Sequence, residues 1–261
     1  MLTEAYGKKI AQGISDGVEQ YFSEFPSTQR QVNDSSSTGS TTPETEVSVH
    51  VEKAPAEEDK IVYLTFDDGP SSNTEKILDI LDQYRIKATF FVTGLNQDYK
   101  HLIKEADQRG HTIGLHTYSH DYEKIYGADE AFFADLEAIG TLVKKEIGFV
   151  PKYIRFPGGT SNAVSKQYDP GLMDSLAQKV QQMGYQYYDW CADSGDASSD
   201  PTVDSLVANA TACDWNEITL LCHDANGKET TVEALPEIIE TYLQRGYRFA
   251  AISDETTPAH H

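Results

Sequence analysis

Residues 61–70 read IVYLTFDDGP. A run rich in β-branched and aromatic side chains gives way to two adjacent carboxylates, and Gly69-Pro70 then turns the chain. Similar strand-like runs return as KATFFVTG, HTIGLH, KYIRF, YQYYDW, EITLLCH and YRFAAIS. Between several of them, NTEKILDILDQYR, DEAFFADLEAIGTLVKKEI, DSLAQKVQQMG and TVEALPEIIETYLQRG carry apolar residues at i, i+3, i+4 spacing, the pattern of amphipathic helices. About seven β-α units predict an α/β fold with a parallel sheet, either open or closed into a barrel. The ionisable residues favour the barrel. Asp67 and Asp68 end the first run, His116 the third, Arg155 the fourth, Asp189 the fifth and His223 the sixth. Strand ends converge on one face of a barrel and build a site from several strands, whereas an open sheet spreads them along an edge.

The chain has 261 residues, 39% hydrophobic, enough for one sizeable core with an appendage. Acidic residues outnumber basic ones 42 to 21, a net charge of -21 that opposes binding to a phosphate backbone, so nucleic acid is not an expected partner. Cys191, Cys213 and Cys222 form no CxxC pair and are odd in number, which suits buried thiols or one pair plus a free thiol. No membrane span is expected, since no apolar run reaches the roughly 18 to 20 residues of a spanning helix. The opening MLTEAYGKKI also lacks the apolar core of a signal peptide. A cytoplasmic protein and one whose export signal has been removed both fit that opening.

Four segments follow. Ile10, Ile14, Val18, Tyr21, Phe22 and Phe25 recur at steps of three and four, predicting an amphipathic helical segment over 1–31. Residues 32–58 contain SSSTGSTTPETE, a Ser, Thr and acid-rich linker, with VSVHVE as a candidate strand at its end. The main domain spans 59–255, and 256–261 form a tail.

HTYSH sets His116 and His120 four apart. On one helical turn that spacing brings both imidazoles within reach of a single metal ion, and it also fits two surface or capping histidines. The Asp67-Asp68 pair has two readings as well. It can belong to a turn before a helix starting near Thr74 with Ser72 or Asn73 as N-cap. It can also place one acid on a metal, whose charge offsets the repulsion between the two. Two His and one carboxylate leave positions open for water and substrate, the arrangement of a catalytic zinc. Cys222 should point away from His223 on an alternating strand and so be packing; His101 and His111 lack spaced partners and read as surface or loop residues. His260 and His261 lie in the tail.

TFDDGP at 65–70, HTYSH at 116–120, RFPGG at 155–159 and LCH at 221–223 resemble four of the five signature blocks, in order, of the polysaccharide deacetylases (NodB-like domain, carbohydrate esterase family four). The resemblance covers about residues 60 to 253. It implies a distorted (β/α) barrel with seven strands and a divalent metal, usually zinc, with Co2+ or another ion as alternatives. By position it makes Asp68, His116 and His120 metal ligands, Asp67 the general base, Arg155 its partner and His223 the general acid. Pro157, Gly158 and Leu221 match substrate contacts, with the Gly158 N–H facing the oxyanion. The fifth block departs from the family's Asp-Trp pair: DWCADSGDA has Ala197 after Asp196 and its Trp earlier, at Trp190. Asp196 is assigned to orient His223, with Asp193 as rival.

The implied activity is removal of N-acetyl groups from an N-acetylglucosamine polymer, peptidoglycan foremost, by a metal-activated water. Chitin oligomers and N-acetylmuramic acid are alternative substrates, and an O-acetyl-xylan esterase is an alternative enzyme. A silent glycan-binding module is the non-enzymatic reading, opposed by the presence of every ligand and both proton-transfer residues. The resemblance implies an extracellular or cell-wall-facing bacterial protein.

Overall fold

The structure, a computed structural model, describes residues 60–261. The N-terminal helical segment, the linker and the candidate strand in 47–52 lie outside the described residues. Among the described residues are eight strands, with helices between all consecutive ones but the fifth and sixth: β1 (Ile61–Asp67), β2 (Thr89–Thr93), β3 (Thr112–Thr117), β4 (Tyr153–Ile154), β5 (Gln186–Tyr187), β6 (Ala192–Asp193), β7 (Glu217–His223) and β8 (Arg248–Ala250). All pairings are parallel and run β5-β4-β3-β2-β1-β7-β6, with β8 also on β1. The result is the curled, distorted barrel that the strand-end polarity predicts. Seven strands coincide with the runs read from sequence. The extra one, β6, is only two residues long and hidden in DWCADSGD, too short to show a period.

β1 is the axis of the fold, and all seven of its residues are buried. β7 lines it from end to end, Ile61 opposite Glu217 through Asp67 opposite His223. Its other edge is shared: β8 meets Ile61–Tyr63 and β2 meets Thr65–Asp67. Alternation along the strands sends Val62, Leu64, Phe66, Ile218, Leu220 and Cys222 into the large core under the helices. Ile61, Tyr63, Phe91, Tyr188 and Ile252 form a separate small cluster. Cys222 is thus packing, as its place in the alternation predicts. All three cysteines are free.

The helices that close the core are α1 (Thr74–Tyr84), α2 (His101–Gln108), α3 (Tyr122–Ile125), α4 (Asp129–Ile147), α5 (Leu172–Gln182), α6 (Val203–Ala210) and α7 (Glu229–Gln244). In α1 the buried Thr74, Ile77, Leu78 and Leu81 fall on one face. Burying such Leu and Ile side chains stabilises by about 2–3 kcal/mol each. Neither candidate cap works as expected. Asn73 occupies the N-cap position without a capping bond, its Oδ1 accepting from Lys76 Nζ (3.1 Å) and its amide donating to Ala225 O (2.9 Å), and Ser72 bonds Asn226 Oδ1 instead. Both side chains tie the start of α1 to the segment after β7.

The barrel has no pairing between β5 and β6 among the described residues. The segment 259–261 lies against the residues that join them: Asp189 N–H donates to Ala259 O (2.7 Å), His260 stacks on Tyr187 at 3.9 Å, and His261 N–H donates to Asp189 (3.0 Å). The terminal histidines therefore pack on the barrel seam. His111, read from sequence as a surface or loop residue, is buried. Its Nδ1 accepts from Ala88 N–H (3.1 Å), its ring sits edge-on to Phe90, and burial pulls its pKa down to about 4. His101 is exposed at the start of α2, as expected.

Candidate active site

The polar residues at the strand ends form two groups around one mouth. Asp67, the last residue of β1, is 3% exposed and shares an ion pair with Arg155, 1% exposed, Nη1 to Oδ1 2.9 Å. Arg155 follows β4 and spends every donor group inside the barrel. Nε donates to Tyr188 O (2.9 Å), Nη1 also to Thr65 Oγ1 (2.7 Å), and Nη2 to Asp189 O (2.9 Å). Its guanidinium lies 4.4 Å from the Phe91 ring centre. A buried charge pair is costly unless its remaining donors are bonded, and here each guanidinium nitrogen donates at least once. The Asp67 carboxylate is therefore fixed by one oxygen, and its other, Oδ2, faces His116 at 3.7 Å.

Asp68 turns outward from the strand with φ 72°, and His120 has φ 48°. Non-glycine residues in the left-handed region cost on the order of 1–2 kcal/mol each. Both lie in one cluster: the ligating atoms of Asp68, His116 and His120 are all within 4.8 Å of one another. His116 and His120 are not on a helical turn, as their spacing suggested. His116 lies in β3 at an irregularity where Val92 pairs Leu115 and Thr93 pairs Thr117, and the chain then bends back at His120. The extra residue re-aims His116 into the barrel mouth, as bulges commonly do beside functional sites.

The cluster fits a divalent cation. His116 Nδ1 must be the donor to Arg155 O (2.7 Å), since a carbonyl only accepts; that leaves the Nε2 lone pair directed at Asp68 Oδ1 3.6 Å away. Burial pulls the pKa of His116 down, toward the neutral imidazole that metal binding needs. His120 Nε2 is 3.2 Å from the same oxygen. Asp68 Oδ1 is buried without a hydrogen-bond partner, an unpaired state that a carboxylate oxygen rarely tolerates unless a cation completes it. Asp135 of α4 holds the loop between the two imidazoles, accepting from Tyr118 N–H (2.6 Å), Ser119 N–H (3.0 Å), Ser119 Oγ (2.6 Å) and Lys124 Nζ (3.1 Å).

His223 ends β7 directly opposite Asp67. Its Nδ1 is 2.6 Å from Asp196 Oδ1, and its N–H donates to Asp196 Oδ2 (2.8 Å), which also accepts from Thr231 Oγ1 (2.8 Å). Burial works against the imidazolium, but the bond and charge of Asp196, with Asp67 and Asp68 beyond it, carry the pKa of His223 up to about 9. Burial would likewise raise Asp196, and the bonds from His223 and Thr231 hold it below the usual carboxylate range. Asp193, the rival, is exposed and caps Gly195 N–H (2.7 Å), so the structure brings Asp196 and not Asp193 to the imidazole.

Pro157 is buried, with its carbonyl accepting from Tyr126 Oη (2.6 Å). Gly158 is exposed with φ 75°. Leu221 is buried on β7, two residues before His223 and thus on the same side of the strand. Asp189, beyond β5, braces this loop through Thr160 N–H (2.9 Å) and Thr160 Oγ1. Two further residues escaped the sequence reading. Asp224 is fully buried and accepts from Ser71 Oγ and Thr74 Oγ1 (both 2.6 Å), fastening the turn after Asp68 to β7; burial pushes its pKa up to about 6. A side chain at Gly69 would meet Asp224 Oδ2 at 2.4 Å, which is why glycine stands there. Tyr122 packs edge-on to His120 (5.4 Å), and burial with the charges of Asp68 and Asp67 pushes its pKa up to about 12.

The comparisons with known proteins agree with this geometry. The sequence profile described as Polysaccharide deacetylase matches residues 54–188. A peptidoglycan-N-acetylglucosamine deacetylase of Bacillus cereus is 32% identical over 209 residues, covering 76% of this chain and 71% of that protein. A chitin deacetylase of Colletotrichum lindemuthianum is 30% identical over 208 residues, 74% of this chain and 78% of that one. Among solved structures, the catalytic domain of a peptidoglycan N-acetylglucosamine deacetylase from Eubacterium rectale superposes with a TM-score of 0.75 at 41% identity, covering 82% of this chain and 97% of the other. The chain belongs to the polysaccharide deacetylase family and is a hydrolase of that class.

Proposed function

We propose that this deacetylase removes the N-acetyl group from N-acetylglucosamine residues of bacterial peptidoglycan, using a divalent cation, zinc foremost, held by Asp68, His116 and His120. The observation that carries the reading is the register of β1 and β7: Asp67 and His223 are direct partners, each already fixed by its own buried counter-charge, Arg155 and Asp196, with the unsatisfied Asp68 oxygen beside them. The substrate follows from the peptidoglycan-N-acetylglucosamine deacetylases that the chain resembles over most of its length.

A cation at that cluster supplies Lewis-acid polarisation of an acetyl carbonyl and makes a nearby water easier to deprotonate. The free oxygen of Asp67 takes the proton as water adds to the carbonyl carbon. Arg155 keeps the other oxygen occupied, so the carboxylate cannot rotate away. The Gly158 N–H donates to the oxygen that becomes negative, and the absence of a side chain lets the substrate approach that backbone. His223, held by Asp196 at Nδ1, gives the proton on Nε2 to the departing nitrogen as the C–N bond breaks. Acetate and a free amino sugar result. An imidazolium with its pKa near 9 is charged at neutral pH, as an acid for an amine leaving group must be. Leu221 and Pro157 supply apolar surface for the acetyl methyl. The proposed site of action is the cell-wall face of a bacterium. No described helix is long and apolar enough to cross a membrane.

The test is acetate release from intact peptidoglycan, chitin oligomers and acetylated xylan, in chelator and after zinc is restored. Release from peptidoglycan that depends on zinc supports the proposal. Preference for chitin or for xylan esters would reassign the substrate, and silence on all three with zinc present would end it.

A further inference from the structure

The Gly158 N–H has a neighbour that no signature block contains. Tyr122, the first residue of α3, sends its hydroxyl into the space that a side chain at Gly158 would fill: a Cβ built on Gly158 would lie 2.9 Å from Tyr122 Oη and 3.4 Å from Cε1. Gly158 itself is exposed. Tyr122 is half-buried, and its hydroxyl has no hydrogen-bond partner among the described residues, while the next tyrosine along, Tyr126, uses its own on Pro157 O (2.6 Å). The two rings meet edge-on at 5.6 Å, and the other edge of Tyr122 faces His120 at 5.4 Å. One short helix thus fixes both the Pro157–Gly158 backbone and a free phenol beside it, against a proposed metal ligand.

We propose that the Tyr122 hydroxyl is a catalytic residue, a second hydrogen-bond donor that joins the Gly158 N–H in holding the acetyl oxygen as it becomes an oxyanion. The inference rests on the hydrolytic reading above. A phenol is an uncharged O–H donor at neutral pH, and an unpaired donor already held beside the Gly158 backbone costs little reorganisation when negative charge forms there. A ring that only braced His120 would need no hydroxyl there. Tyr122 and Gly158 lie 36 positions apart in sequence, which explains why neither residue alone announces the pair.

The decisive variant is Tyr122→Phe, which keeps the ring and removes the donor. Wild type and variant, both loaded with zinc, are compared on a chitin pentamer and on p-nitrophenyl acetate, two probes that share only the acetyl carbonyl. Zinc affinity and melting temperature are measured alongside. The expected result is a fall in kcat of roughly 10- to 100-fold on both probes, with KM nearly unchanged, because the bond strengthens only in the transition state. Zinc affinity and melting temperature stay at wild-type values. Rates within twofold of wild type would overturn the proposal. So would a loss confined to the pentamer, which makes the hydroxyl a sugar contact, or a loss that follows weakened zinc binding, which makes it a brace for His120. If wild type is silent on both probes, the same comparison is made on peptidoglycan and read the same way; silence there too would overturn the hydrolytic reading, and this inference with it.

Discussion

Two carboxylate–imidazole pairs face each other across the mouth of the barrel, and they are finished to different degrees. Asp196 and His223 are complete: the carboxylate accepts from the His223 backbone and ring and from Thr231. Asp68 with His116 and His120 is incomplete, its oxygen buried and unpaired and two of its three residues in left-handed backbone. The complete pair can hold a proton with nothing added. The incomplete one has the donor set and spacing that suit a divalent cation. In the proposed reading, identical functional groups are divided by their hydrogen-bond partners into an acid and a ligand set.

Breaking the incomplete pair has the largest expected effect. Asp68→Asn keeps the shape and tolerates the left-handed backbone, so zinc affinity and acetate release should collapse, the latter by about 10³-fold or more. The chelated protein should melt close to chelated wild type, because the Asp68 oxygen accepts no hydrogen bond and only its ionic contacts with the nearby imidazoles are weakened. A melting temperature well below wild type would mean that Asp68 is structural. Breaking the complete pair should show the reverse pattern, with zinc binding intact. His223→Ala is expected to cut amide hydrolysis by about 10²- to 10³-fold and ester hydrolysis by much less, since an alkoxide leaves more readily than an unprotonated amine. Equal losses on amide and ester would remove His223 from the role of acid.

Asp196→Asn sharpens the contrast through pH. The folded pKa of His223, about 9, lies above its ordinary 6.5, so its contribution to stability is full below pH 6.5 and is lost as pH rises through about 9. That contribution is on the order of 3 kcal/mol in the metal-free protein, and a bound cation would offset the share due to Asp68. Chelated wild type should therefore lose stability between pH 6.5 and 9, and the Asn variant should be flatter over that window. The smallest effect is expected at Asp135, which touches neither metal nor substrate. Asp135→Ala should weaken zinc binding by about 10- to 100-fold by loosening the HTYSH loop, with His223 chemistry untouched once zinc is saturating.

What could be read in advance follows the same division. The strands and their polar ends are legible because β1, β2 and β7 are long enough to show their character, and the candidate ligand set because TFDDGP and HTYSH resemble family blocks. Asp196 was found by its place in a block, despite the missing Trp. The HTYSH spacing was read as helical because i, i+4 is a helix rule, yet an irregular strand and one left-handed residue achieve the same convergence. Asp135, Asp224 and Tyr122 were missed for a common reason. Each acts on a loop that it reaches only in three dimensions, Asp224 across 150 positions to Thr74, and a lone acid or tyrosine carries no periodic signal. His111 was misjudged because a histidine without a charged partner can still be core when its ring packs on Phe90 and its nitrogen serves a backbone amide.

The central claim is that this chain hydrolyses N-acetyl groups only when a cation completes Asp68, His116 and His120. Its most direct measurement is acetate released from peptidoglycan by chelated protein as zinc is titrated back, with zinc bound per chain followed in the same samples. The account predicts no release without zinc and a rise that reaches its plateau at one zinc per chain. Undiminished release from fully chelated protein, or a fully zinc-loaded protein that releases nothing, would contradict it.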